Sequence, residues 1–158
     1  MRAWLIWLLL AGGAQAEMHL AEIRQGILGC ESAACIGAGA ALCMEMEDDG
    51  QTTFGMMSCL IAERDVWDER LNNSYREALN FAGAMDKSDL EHFPEYAVRK
   101  DQLRAAQRAW IPYRDANCAM WYGLWGSGSM RQIEGADCLM QMTARRTLEL
   151  EDYTETMR

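Results

Sequence analysis

Histidine is nearly missing from this sequence: His19 and His92 stand alone, far apart. That removes most chemistry built on imidazole, because a nucleophile needs a base beside it and zinc needs ligands at close spacing. No C-x-x-C pair occurs among the six cysteines, so the usual zinc-ribbon spacing is absent too. Proline is as scarce, at Pro94 and Pro112, and leaves long helical patterns almost uninterrupted. Cations are short, with 15 Lys and Arg against 24 Asp and Glu. A net charge of −9 disfavours nucleic acid and anionic membrane as partners and suits a basic protein, although acidity also serves solubility alone. No stretch alternates like a strand, no segment repeats, and beyond the N-terminus no run could span a bilayer.

What is present begins with an address. Met1-Arg2 is a short positive head, Ala3 to Ala11 is apolar, and Ala14-Gln15-Ala16 is an A-x-A cleavage pattern. This predicts a secretory signal peptide over 1–16 and a mature chain from Glu17. Losing Arg2 with it takes the charge from −9 to −10. No cysteine directly follows the apolar run, so no lipid-anchored cysteine is expected, and the destination is periplasmic or secreted. Cys30, Cys35, Cys43, Cys59, Cys118 and Cys138 then read as three disulfides.

Residues 17–50 form a cysteine-containing extension. A short amphipathic helix is predicted over Glu17 to Leu28, with Ile23, Ile27 and Leu28 facing inward. Cys30 to Met46 is rich in Ala and Gly. It reads as helical turns held by sulfur rather than by packing, since Gly37 and Gly39 weaken a helix. Glu47 to Gly50 is an acidic turn, and Thr52-Thr53 offers an N-cap. Residues 51–153 read as a helical domain. Its first long helix, from Phe54 to near Met85, carries the apolar stripe Leu60, Trp67, Leu71, Tyr75, Ala78 and Ala82. Asp86 to Asp89 is expected to break it. Pro94 is expected to start a second long helix that ends near Trp125 and kinks at Pro112. Gly126 to Ser129 make a mobile loop, and a third helix covers about Gln132 to Tyr153. The expected fold is all-α: an antiparallel pair of long helices, a third packed helix, and a short disulfide-linked helical N-terminal segment.

The second long helix holds the densest information. Leu103, Ala106, Trp110, Tyr113 and Asn117 follow at steps of three and four, and Gln107, Arg114 and Cys118 run beside them. One face therefore mixes apolar bulk with groups that need partners when buried. Together with Asp68-x-x-Leu71-Asn72-x-x-Tyr75, Ala106-Gln107-Arg108-Ala109-Trp110-Ile111-x-Tyr113-Arg114-Asp115-Ala116-x-Cys118, Gly128-Ser129 and Cys138-Leu139-x-x-x-Thr143-x-x-Arg146-Thr147-x-x-Leu150, the chain resembles the lysozyme inhibitor LprI-like (N-terminal) domain family. The resemblance covers about Cys43 to Leu150. It implies a small exported helical domain with paired cysteines, and lysozyme as the named target, since the namesake is a lipoprotein that inhibits lysozyme. The chain departs from that pattern by lacking a lipid-anchor cysteine, by adding Glu17 to Ala41 with Cys30 and Cys35, and by carrying Pro112.

Asp68 and Asp115 are the acids inside the motifs. A pair of carboxylates suggests glycosidase-like acid–base work. The structural alternative is that Asp68, Asn72, Gln107, Arg114, Asp115 and Arg146 satisfy one another between helices, and it is preferred because a buried Arg favours a carboxylate. No catalytic residue is expected, and no enzyme. Twelve methionines, including Met44, Met46, Met56, Met57, Met140 and Met142, raise soft-metal ligation. They do not repeat regularly or add a histidine, so core filling is expected, with no metal and no cofactor. For binding, the loop Trp125-Gly126-Ser127-Gly128-Ser129-Met130-Arg131 offers an aromatic, small polar residues and a cation, with Trp125, Ser127, Ser129 and Arg131 as contacts. Such loops also simply connect helices.

Six cysteines allow 15 pairings. Cys30–Cys35 can close on itself. In an antiparallel hairpin the start of the first long helix meets the end of the second, so Cys59–Cys118 with Cys43–Cys138 is expected first and the swapped pairing second. The functional expectation is an exported, disulfide-stabilised binding protein that inhibits lysozyme. The alternative is a periplasmic structural or envelope-stress protein with another partner.

Overall fold

A computed structural model of the chain describes residues 21–156. The expected leader, the start at Glu17 and His19 lie outside the described residues. The described chain opens in a helical turn, α1 (residues 21–26). A 3-10 turn, Ala33–Cys35, leads into α2 (Ala38–Met46). Three long helices follow: α3 (Thr53–Asp89), α4 (Arg99–Leu124) and α5 (Met130–Thr156). The described residues contain no strand, and the class is all-α as expected.

Helix α4 runs antiparallel to α3: its start is held by Asp86, and its end shares a groove with Met57 and Ile61. Helix α5 returns parallel to α3. Gly135 and Ala136 lie near Met57 and Ile61, while Arg70 meets Glu151 one end further on. The heaviest packing joins α3 to α5, and α4 lies against α5 more than against α3. The third helix is thus the centre of the bundle.

Local chemistry explains the ends. Thr52 Oγ1 accepts from the Gly55 N–H at 3.0 Å and caps α3, the expected N-cap. Asp86 to Asp89 does not break α3, which continues to Asp89. Asp86 instead turns its carboxylate to the next helix and accepts from the backbone N–H groups of Arg99 (3.0 Å) and Lys100 (2.9 Å). Val98, the residue before α4, has no side chain to cap it, so the cap is supplied from outside. The Lys100 N–H, then that of Arg99 and its guanidinium, hold Asp86 below the usual aspartate range, against a rise from burial. Arg99 also pairs with Asp89 at 2.7 Å. Pro94 starts the 3-10 turn Pro94–Tyr96, and α4 begins five residues later than the expected start. Pro fits such a turn for the same reason it fits a first helical turn, its fixed φ and missing donor. Helix α4 continues through Pro112.

The core has two parts. Leu71, Ala78, Leu103 and Leu150 form one, with Tyr75, Trp110 and Tyr153 packed against it. The other joins Ile23, Ile27 and Ala40 to Trp67, Val66, Ala136, Met140 and Ala144, so the extension packs as well as cross-links. Packing therefore holds residues 30–46 alongside sulfur, which differs from the expectation of sulfur alone. Gly39 permits it: a Cβ there would stand 2.8 Å from Ile23 Cγ2. Ile23 and Ile27 are buried as expected, but Leu28 is 75% exposed, because the chain turns away before Cys30.

The disulfides are Cys30–Cys35, Cys43–Cys59 and Cys118–Cys138, with Cα separations of 5.8, 5.6 and 5.4 Å. The first is the expected local loop. The other two replace both expected arrangements, Cys59–Cys118 with Cys43–Cys138 and its swap. A hairpin of α3 and α4 alone leaves out the two helices that decide the pairing. In the fold α2 doubles back on the start of α3 and brings Cys43 to Cys59. The turn after α4 lays α5 alongside it and brings Cys138 to Cys118.

Candidate functional site

The polar motif residues separate into three groups rather than one interhelical set. Gln107 and Arg146 do meet across α4 and α5: Arg146 Nε donates to Gln107 Oε1 at 3.0 Å, and both side chains are buried. Arg146 also pairs with Glu149, one turn on, at 2.8 Å. Arg114 donates from Nε (2.9 Å) and Nη2 (2.8 Å) to its neighbour Asp115 and lies 5.0 Å over the Trp110 ring. Asp68 accepts from Asn72 Nδ2 at 3.1 Å on the exposed side of α3. Asp115 and Asp68 face outward, so neither reaches the buried arginine. Tyr75 and Trp110 pack against the core of Leu71, Ala78, Leu103 and Leu150.

Two further polar centres were not picked out from the sequence. Glu63 is fully buried. Its Oε1 accepts from the Gly37 N–H and from Trp67 Nε1, each at 2.8 Å, and its Oε2 accepts from the Ala40 N–H at 2.6 Å. The carboxylate of one helix thus caps the N-terminus of α2, where the helix dipole favours negative charge. Arg70 grips Glu151 with Nε (2.8 Å) and Nη2 (2.7 Å), and the same Nη2 donates to the Cys30 carbonyl at 2.9 Å. The available signal was spacing: Glu63 sits one turn before Trp67 on the apolar stripe, and Arg70 three residues after it. Asp137 on α5 is raised above the usual aspartate range by burial, offset in part by a hydrogen bond with Gln141.

The expected contact loop lies at the opposite end of the bundle from Asp86. Trp125 closes α4 and is 44% exposed, and Ser127 and Ser129 are exposed in the turn that follows. Gly126, at φ 53, makes the left-handed step out of the helix. Arg131 folds back on its own chain: its guanidinium stands 5.4 Å over the Tyr122 ring, and Nη1 donates to the Gly126 carbonyl at 3.3 Å.

The surface around this loop is unlike the rest of the molecule. Of the 26 residues of α4, the buried ones are Leu103, Gln107 and Cys118. Ala116 to Met130 contains no charged residue, in a chain that is 25% charged. Within it Met120, Trp121, Tyr122, Leu124, Trp125 and Met130 are exposed. Beside it, α3, α4 and α5 enclose a groove of about 450 Å³ walled by Met57, Ile61, Ala119, Tyr122, Ala136 and Leu139. Its polar rim includes Arg64 and Asp115, each with its charge met by a sequence neighbour.

Among the described residues no group of three or more His, Cys, Asp and Glu could hold a metal ion. Of the methionines weighed as soft ligands, Met140 is buried in the core and Met142 Sδ accepts from Asn117 Nδ2 at 3.2 Å. No described helix is long and apolar enough to cross a membrane. The three disulfides fit a chain that matures in an oxidising compartment.

A family model described as lysozyme inhibitor LprI matches residues 43–150. An uncharacterized protein of Rhizobium meliloti (strain 1021) is 36% identical over 89 residues, which cover 56% of this chain and 64% of that protein. The uncharacterized protein YecT of Escherichia coli (strain K12) is 27% identical over 122 residues, 70% of each chain. An uncharacterized 17.7 kDa protein encoded in the puhA 5' region of Rhodobacter capsulatus is 24% identical over 143 residues, 90% of this chain and 85% of that one. No solved structure matches the chain.

Proposed function

The chain belongs to the lysozyme inhibitor LprI family, and from that membership we propose that it is an exported, disulfide-braced binding protein whose target is a lysozyme. It acts in the periplasm or outside the cell, and it acts by occupying its target rather than by turnover. The observation that carries this reading is the exposed, charge-free aromatic surface from Ala116 to Met130. Interfaces concentrate Trp, Tyr and Met at a desolvated centre and exclude charge from it. An acidic protein that keeps one uncharged aromatic face has the composition of a binder with a defined contact area. Trp125, Ser127, Ser129 and Arg131 sit at its edge. Arg131 holds Tyr122 in place there, so we assign it to shaping the surface more than to reaching into a cleft.

The test is direct titration. Oxidised protein starting at Glu17 is mixed with several lysozymes, including a basic one, and cell-wall clearing is followed. Stoichiometric inhibition of at least one enzyme is expected. Clearing that proceeds unchanged at every ratio, with all of them, would sink the reading. A second reading, an envelope protein with another partner, has one observation in its favour. Leu90, Phe93, Tyr96 and Val98 are exposed on the turn at the far end of the bundle. A cross-linker at Phe93 that captures an envelope protein, while one at Trp125 captures nothing, would favour it.

A further inference from the structure

Resting on that reading, we propose that the groove between the start of α3, the end of α4 and the start of α5 receives one apolar side chain of a basic partner protein, and that the exposed aromatic face of α4 seals around it. The groove is about 450 Å³, room for a single leucine-to-tryptophan-sized group rather than for a helix. Its walls are apolar on all three helices: Met57 and Ile61 from α3, Ala119 and Tyr122 from α4, Leu139 and Ala136 from α5. The walls are also rigid. Cys118, in the groove lining, is tied to Cys138 and so joins α4 to α5 beside the groove, and Cys43–Cys59 fixes the start of α3. Tyr122 packs closely against Gly135, where a Cβ would stand 3.0 Å from its ring, and Gln132 Nε2 donates to its hydroxyl at 3.5 Å. A preformed pocket of this kind loses little entropy when an anchor enters it.

Charge selects the partner. Two guanidiniums near the rim are already answered, Arg64 by Asp65 and Arg114 by Asp115. Asp68, one turn beyond Arg64 on α3, meets only the neutral Asn72 amide among its hydrogen-bond partners, while Arg131 stands over the ring of Tyr122 in the groove wall. The charges beside the groove are therefore close to balanced, and it is the field of the whole chain, at −9, that favours a cationic partner. An apolar anchor flanked by cations meets both features. An anchor flanked by carboxylates would be repelled by the field of the chain.

Two measurements separate this inference from the family activity. In the first, Ala119→Trp fills the groove from an exposed position, and Leu139→Gln wets its wall as a second variant should the first fold poorly. Each is compared with Phe93→Ala, at the far end, against a basic lysozyme that the native protein inhibits. The groove variants should weaken inhibition by about tenfold or more, as loss of a central anchor does, with melting temperature kept within a few degrees. Phe93→Ala should leave inhibition unchanged. Full inhibition by well-folded groove variants overturns the anchor while leaving the activity standing. In the second measurement, indole is titrated into the methyl-labelled native protein. Saturable shifts at Ile61, Ala119, Ala136 and Leu139 that Ala119→Trp abolishes support the groove, even if every lysozyme fails as a partner. Shifts absent there, or unchanged in Ala119→Trp, overturn it.

Discussion

The residue that organises the buried chemistry is Glu63. Three donors converge on its carboxylate, two of them backbone N–H groups at the start of α2 and the third the indole of Trp67. Glu63→Gln keeps the shape and removes one acceptor. An amide NH₂ must then face an N–H, and a buried donor is left without a partner, which costs about 1–3 kcal/mol. The expected result is a lower urea midpoint with a change in α2 and little change at the 125–131 turn, read by hydrogen exchange. Uniform protection in the variant would show that Glu63 does not hold α2. Glu63 was not legible in the sequence because acids on a helix are usually solvated, and its partners come from backbone outside the helix. Trp67 was legible, since a large aromatic at a stripe position has few other places to go. Trp110 was legible as a packed ring but not as a half-buried one with Arg114 lying over it.

At the scale of elements, the three long helices and their order could be read from periodicity, because each carries an apolar stripe at steps of three and four. Their ends were less readable, and Asp86 shows why. A charged run reads as a breaker, yet here Asp86 serves as the cap of the next helix. Its pKa is depressed, chiefly by the Lys100 N–H, so the ionised form is the one that stabilises. That contribution is present above the unfolded aspartate pKa of about 3.9 and is lost as pH falls through the lower folded value. Asp86→Asn should therefore lower stability at neutral pH, and its gap from the native protein should narrow as the pH drops below about 4. A gap that stays constant down to acid pH would mean the carboxylate charge is idle. The disulfide pairing failed from sequence for a related reason. It depends on which helices are neighbours, and the apolar stripes do not say that α5 lies between α3 and the end of α4. Cys118–Cys138 closes a separation of 20 residues. Replacing both cysteines with serine should cost about 3 kcal/mol by the loop-entropy relation. Because it links α4 to α5 beside the groove, the loss should show first as faster exchange at the end of α4. Global unfolding without that local step would place the disulfide's effect elsewhere.

At the scale of the whole molecule, charge and contact surface are separated in space. The −9 charge is spread over the helices, while Ala116 to Met130 carries none. Sequence showed both the acidity and the small-residue loop, but not that the end of α4 is left uncovered; that follows from α4 having one buried stripe and no fourth long helix among the described residues. The division predicts how a basic lysozyme would be bound. The long-range field acts on encounter, before contact, and salt screens it: the Debye length shortens from about 30 Å at 0.01 M to about 8 Å at 0.15 M. The aromatic contact acts after encounter, at distances salt barely touches. Raising ionic strength over that range should thus slow association by about tenfold, while the dissociation rate changes by less than about twofold. Surface-immobilised protein with lysozyme in flow gives both rates in one experiment. If salt instead speeds dissociation and leaves association alone, the contact itself is made of ion pairs. The uncharged face of α4 would then lie outside it, and the search for the interface would move to the acidic sides of α3 and α5.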